Sequence, residues 1–316
     1  MRAGWFGFLF LLFSSSCFAQ EWPRQKNVQI IVGFAPGATT DTVARISAQK
    51  LQEAFGQNFV VENRPGAGGN VATLQVKRAA ADGYTLLVTS VAYSVNPSLY
   101  SSAGYDPLKD FVPVVLGPST PNIIMVNPSL PVKNLAELIE LARRQPLSYA
   151  SSGGGTTTHL SMERLKFAAK FDMTHVPYQP AQAVGAVMGG HTQVGNTSMP
   201  PAVPQVKAGK VRAIALTSAQ RSAALPDVPT LGELGYSGFD DLTWVGFFAA
   251  AGTPVDVVNR LNVELNRIFA APDVKEKLGA LGLESRPNTS AEFGAFLKDE
   301  VVKWAKAVKE SGAKAD

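Results

Sequence analysis

From Asn27 onward the chain alternates short β-branched runs with stretches of helical periodicity, and glycine-rich joins separate them. This alternation constrains the fold most, because strands that return through helices pair in parallel and need apolar cover on both faces. Val28 to Val32 reads as a strand, Gly33 to Thr40 as a loop, and the next residues as a helix with Val43, Ile46, Leu51 and Phe55 near one face. Thr39 or Thr40 is placed to cap that helix and Gly56 to end it. Phe59 to Val61 and Tyr84 to Thr89 supply further strands. Between them lie a glycine-rich turn at Gly66, Gly68 and Gly69 and a helix carrying Val71, Leu74 and Ala79.

The device recurs after Asn134, which begins a helix with Leu135, Leu138 and Ile139 on one side. Strands follow at Leu147 to Ser151, Thr174 to Tyr178, Thr192 to Asn196 and Val211 to Thr217, with a helix from about Ala181 to Met188. A strand at Trp244 to Ala250 leads to a helix with Thr253 as cap and Pro254 in its first turn. A final helix from near Ser290 places Phe293, Phe296, Leu297, Val301, Trp304 and Val308 at core spacing. At 316 residues and 46% hydrophobic, the chain has material for two cores. The expected fold class is therefore α/β in two lobes, each a mostly parallel sheet flanked by helices. Residues 20–122 with 243–316 form one domain and 123–242 the other, with crossings near Asn122 and Leu242.

The first 19 residues differ in kind: Arg2 precedes an apolar stretch from Ala3 to Phe13, then three serines and a small-residue site at Ala19. They read as a secretory signal peptide, too short to span a membrane. Cleavage there removes Cys17, the single cysteine, so the exported body relies on burial and not on disulfides; lipidation of Cys17 is the competing reading. A formal charge of +4, spread without long like-charged runs, is too diffuse for a nucleic-acid footprint.

In sheets of this kind ligands sit beyond the carboxyl ends of the strands. The loop Phe34-Ala35-Pro36-Gly37-Ala38-Thr39 lies there and aims backbone amides and a helix N-terminus at one spot, a receptor for a carboxylate. Ser151-Ser152-Gly153-Gly154-Gly155-Thr156-Thr157 repeats the device in the second lobe. Facing one another, the two loops would hold an acid from both sides. Asp41 either complements the dipole of its helix or meets an amino group of a ligand. Tyr93, Tyr178 and Trp244 either wall the pocket or belong to the core. The signatures of an α/β-hydrolase, a P-loop and a dinucleotide fold are absent, so no cofactor is implied. His159, His175 and His191 match no metal motif; His159 stands where it can bond the neighbouring loop.

The loop from Phe34 to Asp41, Asn63-Arg64-Pro65-Gly66-Ala67-Gly68-Gly69-Asn70, Asp82-Gly83-Tyr84, the stretch from Ser151 to Glu163, and Leu225-Pro226-Asp227-Val228-Pro229-Thr230 resemble the Bug family, the TctC-like receptors of tripartite tricarboxylate transporters. The resemblance runs in order through the whole mature chain. It implies a monomeric periplasmic solute-binding protein of Venus-flytrap form that presents a small organic acid to large and small membrane subunits, or to a sensor protein, without catalysis. It also implies that Phe34 to Thr39 and Ser151 to Thr157 hold the acid, helped by strand ends near Thr89 and Ser198. The ligand classes are a dicarboxylate, an aromatic acid or an acidic amino acid. Four departures from the family pattern stand out. Ala38 replaces a glycine; Gly33 stands where proline is common; Gln179-Pro180 replaces a basic residue and glycine; Gln193 and Thr197 occupy positions that often carry acids. Thr197 in place of an acid removes a partner for a ligand ammonium. A rival reading is an enzyme on the same scaffold, with Asp41 as base and His159 as acid.

Overall fold

The computed structural model describes residues 22–312. The signal-peptide reading and Cys17 fall outside them. The first lobe is built from β1 (Val28–Val32), α1 (Thr39–Phe55), β2 (Phe59–Asn63), α2 (Asn70–Lys77), β3 (Thr85–Ser90) and α3 (Ala92–Leu99). The chain then enters the long strand β4 (Phe111–Val126). The second lobe follows with α4 (Leu135–Arg144), β5 (Ser148–Ser151), α5 (Thr157–Ala169), β6 (Thr174–Pro177), α6 (Pro180–Met188), β7 (Val194–Ser198), α7 (Met199–Lys207) and β8 (Arg212–Leu216). It returns along β9 (Leu242–Ala250) to α8 (Val255–Ala270), α9 (Pro272–Gly279) and α10 (Ser290–Ser311).

The strands run in the order β2-β1-β3-β9-β4-β7-β5-β6, with β8 also on β4. The outer pairs, β1 with β2 and β3, and β5 with β6 and β7, are parallel, as the strand-helix alternation predicts. The middle is not: β9 is antiparallel to β3 and β4, and β4 is antiparallel to β7 and β8. The sheet is thus mixed rather than mostly parallel, because β4 and β9 carry the chain between lobes in opposite directions. From Phe111 to Pro121 β4 pairs with β9; from Asn122 its partners are β7 and β8.

Each half of the sheet is apolar on both faces. On β1, Val28, Ile30 and Val32 join one cluster with residues of α1 and α8, while Ile31 joins another with α3 and α10. On β4, Ile124 and Val126 face one second-lobe cluster, and Ile123 and Met125 the other. Burial of each such side chain contributes about 1.5–3 kcal/mol against chain entropy.

Several boundaries differ from the sequence reading. Ala38, not Thr39 or Thr40, is the N-cap of α1, without a side-chain cap. Thr253 bonds back to the Ala250 carbonyl, and Pro254 is the N-cap of α8. Helix α2 ends at Lys77, leaving Ala79 outside it, and α3, α7 and α9 are additional. Prolines mask these three: Pro97 lies within α3, Pro200 and Pro204 within α7, and Pro272 opens α9. Among the described residues no helix is long and apolar enough to cross a membrane.

Candidate ligand-binding cleft

Five strands deliver their chains to helix starts at one place. Helices α1, α3, α5, α6 and α7 have N-caps at Ala38, Val91, Thr156, Gln179 and Ser198. Residues at or beside all five caps line one small cavity between the lobes. The first lobe contributes Phe34, Ala38, Thr39, Thr40 and Ser90, and the second Ser152, Thr156, Thr157, Thr158, Pro180 and Ser198. Thr243 of β9 completes the wall. Nine of these twelve residues carry hydroxyls and none carries a charge. Each helix start carries the positive end of a dipole, equivalent to roughly half a charge. Those of α1, α3 and α5 also hold amides that no helix bond uses, whereas prolines remove some of them at Pro180 in α6 and at Pro200 and Pro201 in α7. The cavity is therefore electropositive without a cationic side chain. It offers hydrogen bonds to an anion from several sides.

Asp41 shapes the first loop from beneath. Its carboxylate accepts from the Gly37 amide at 2.9 Å, Arg45 Nε at 3.0 Å and Asn63 Nδ2 at 2.9 Å, and the same Asn63 nitrogen donates to the Phe34 carbonyl. Burial pushes the Asp41 carboxyl up, but hydrogen bonds from Arg45, Gly37 and Asn63 and the Arg45 charge more than offset it, holding it below the ordinary carboxylate value. Asp41 is thus a brace for the loop. Gly37 sits at φ +81°, a conformation suited to glycine, whereas Ala38 is extended at φ −68° and loses nothing by carrying a Cβ.

The second loop is knotted by its own hydroxyls. Ser151 Oγ accepts from the Gly153 amide and meets His175 Nε2 at 2.7 Å, while Thr158 Oγ1 accepts from the Ser152 amide. Thr156 caps α5 and donates to the Gly153 carbonyl at 2.7 Å. Ser152 Oγ and Thr197 Oγ1 lie 3.1 Å apart. Beneath the loop the rings of His159 and His175 stack with centroids 4.0 Å apart, and His159 Nδ1 accepts from the Gly155 amide. Two hydroxyl contacts cross the cleft. Thr39 Oγ1 meets Ser198 Oγ at 2.8 Å, and Thr157 bonds Thr243. Because Thr243 donates to Asn122 Oδ1, Thr157 is the donor to Thr243.

Of the residues singled out in the sequence, Phe34, Ala38, Thr39, Ser152, Thr156, Thr157 and Ser198 meet at the cavity wall. Ala35, Pro36, Gly37, Gly153 and Gly155 belong to the loops but not to the wall. Asp41, Ser151 and Thr197 act behind it. Thr89 is buried beside the wall residue Ser90. Tyr93 does not reach the cleft: it stacks on Tyr105, packs against Phe248 and donates to the Pro107 carbonyl, so it belongs to the core. Trp244 is also core, donating to Glu300, and Tyr178 is not a wall residue. Sequence reasoning missed Thr40, Ser90, Thr158, Pro180 and Thr243 as wall residues. Thr40 and Thr158 were legible as further hydroxyls in the two loops, whereas no local pattern brings Thr243 there. The Thr40 hydroxyl is buried without a protein partner.

An enzyme reading needs Asp41 as base and His159 as acid. Neither lines the cavity, and both are engaged in holding loops. His159 is pushed down to about 3, by burial first and then by the charges of His175 and Lys166. Among the described residues no group of three metal-ligating side chains comes together.

A two-lobe sheet with a helix-start cavity at the junction defines a binding protein of the periplasmic type. A family model described as the tripartite tricarboxylate transporter family receptor, TctC, matches residues 43–313, and the chain belongs to that family. It is 35% identical to protein BugT of Bordetella pertussis over 301 residues, 94% of this chain and 92% of BugT. Among solved structures, R. palustris Rpa4515 with adipate superposes with a TM-score of 0.90 at 34% identity, covering 94% of this chain and 100% of that one. MatC (Rpa3494) from Rhodopseudomonas palustris with bound malate gives 0.84 at 31% identity, covering 90% and 99%.

Proposed function

We propose that this chain is an exported receptor that captures a small carboxylate between its lobes and delivers it to a membrane transporter of the tripartite tricarboxylate type. The observation that carries the proposal is the convergence of five helix starts on a hydroxyl-lined cavity without a charged side chain. Relatives at 31–34% identity that hold adipate and malate support the same class of ligand. No acidic side chain faces the cavity, so an ammonium group would enter it without a counter-charge. This favours dicarboxylates and aromatic acids over acidic amino acids. The transporter's large and small membrane subunits are the proposed partners, with a sensor protein as the other possible recipient. The receptor acts as a monomer in the periplasm after cleavage near Ala19, and its role involves no catalytic step.

A thermal-shift panel of mono- and dicarboxylates, aromatic acids and amino acids tests the proposal. It predicts that at least one plain acid raises the melting temperature and that its α-amino counterpart raises it less. No shift from any acid would overturn carboxylate binding. A larger shift from the amino compound would overturn the preference against an ammonium.

A further inference from the structure

Away from the cavity wall, the second-lobe loop touches the first lobe through a contact that admits no side chain. A Cβ on Gly155 would stand 2.5 Å from Leu99 Cδ2 and 3.0 Å from Asn96 Oδ1. A Cβ on Gly68 would come within 3.3 Å of the Gly154 carbonyl oxygen and 3.2 Å of Asn96. Asn96 Nδ2 donates to the Gly68 carbonyl at 3.0 Å and to Asn70 Oδ1 at 2.7 Å, fastening the Gly68 turn to α3. Gly68, Asn96 and Leu99 thus present one surface of the first lobe, and Gly154 and Gly155 sit directly on it. Neither side has slack. Leu99 is packed into the α3–α10 cluster, and the Gly155 amide is held by His159 Nδ1. Thr156 and Thr157, the next residues, are cavity wall, so displacing Gly155 carries part of the wall with it.

We infer that Gly155 is a positioning residue for ligand capture: through this glycine seam the second-lobe loop docks on α3, and the missing side chain sets how closely the lobes approach. The inference rests on the proposed receptor function, since closure matters only if something is captured. A methyl group at 155 would wedge the lobes apart and shift Thr156 and Thr157 with the loop, without removing any wall side chain.

Hydrogen exchange of the free protein and calorimetric titration with adipate test this in Gly155→Ala, in Gly155→Ala combined with Leu99→Val, and in Gly190→Ala. The Leu99→Val change removes Cδ2, the atom that the new methyl would meet at 2.5 Å, and leaves the longer contact with Asn96. Gly190, at φ +74° with only Asn127 Nδ2 near, at 3.9 Å, shows what alanine costs in that backbone conformation without a clash. Gly155→Ala is expected to deprotect α3 and residues 152–158 together and to weaken adipate binding about 10- to 100-fold. Leu99→Val should restore most of both, and Gly190→Ala should change neither. Unchanged exchange at α3 in Gly155→Ala would overturn the inference, as would a defect that Leu99→Val does not relieve. Exchange needs no ligand. A wild-type chain that ignores adipate therefore tells against that acid as ligand, while exchange alone still decides the seam.

Discussion

Asp41 and His159 are the side chains that look most like catalytic groups in the sequence, and each holds a loop instead. The sequence places Asp41 in a first helical turn but does not show that Gly37, Arg45 and Asn63 converge on it. His159 is legible as a neighbour of its loop, whereas its stacking on His175 joins residues 16 apart through β6. A neutral, buried His159 makes the fold sensitive to acid. Between about 3 and the ordinary histidine value of 6.5, the unfolded chain binds a proton there that the folded chain does not. Its contribution to stability is therefore full above about pH 6.5 and lost progressively as pH falls toward 3. In His159→Asn the side-chain oxygen can still accept from the Gly155 amide but does not titrate. Denaturant unfolding of this variant should show a shallower loss of stability between pH 6.5 and 5 than the wild type. An identical slope would mean that His159 is not the group responsible.

At the scale of elements, the proposed site is made of helix starts; those of α1 and α5 were readable because their glycine-rich approaches are local, whereas prolines hid α3 and α7. Asn134 caps α4 by accepting from the Glu137 amide, and Thr156 caps α5 by accepting from the His159 amide. Only Thr156 borders the cavity. Asn134→Ala should cost about 1 kcal/mol in stability and leave acid affinity unchanged. Thr156→Ala should cost a similar amount and also weaken binding of the preferred acid about tenfold, by removing a hydroxyl from the wall. Equal affinity losses in the two variants would contradict the distinction. Ser90 and Thr243 escape a reading by local pattern for different reasons. Ser90 differs from Thr89 only in which side of a strand end it occupies, and Thr243 meets Thr157 across 86 residues of chain.

Across the whole molecule, the two lobes share β4, β9 carries the chain back, and a polar network fastens the return crossing. Asp241, its side chain 1% exposed, pairs with Arg164 of α5 and lies 3.7 Å from Lys303 of α10. Burial pushes its carboxyl up, opposed by Arg164 and Lys303 and reinforced by Glu300. Arg164→Met leaves a buried carboxylate with Lys303 as its remaining cation and should destabilise the protein by about 3 kcal/mol in denaturant unfolding. The exposed pair Arg221–Glu233 is a control: Glu233→Gln should cost less than about 1 kcal/mol. Comparable losses would show that the crossing does not depend on this pair. The α/β class and the two-lobe plan were readable from the alternation of strands and helices. The antiparallel middle of the sheet was not, because strand direction at a crossing depends on where the chain must go next.

In the proposed function, oriented amides and hydroxyls, rather than a charged side chain, hold an anion between the lobes. The most direct test is a calorimetric titration of the best-stabilising acid beside its uncharged amide. One acid should bind per chain, and the amide should bind little or not at all. An amide bound as tightly as the acid would contradict the proposal.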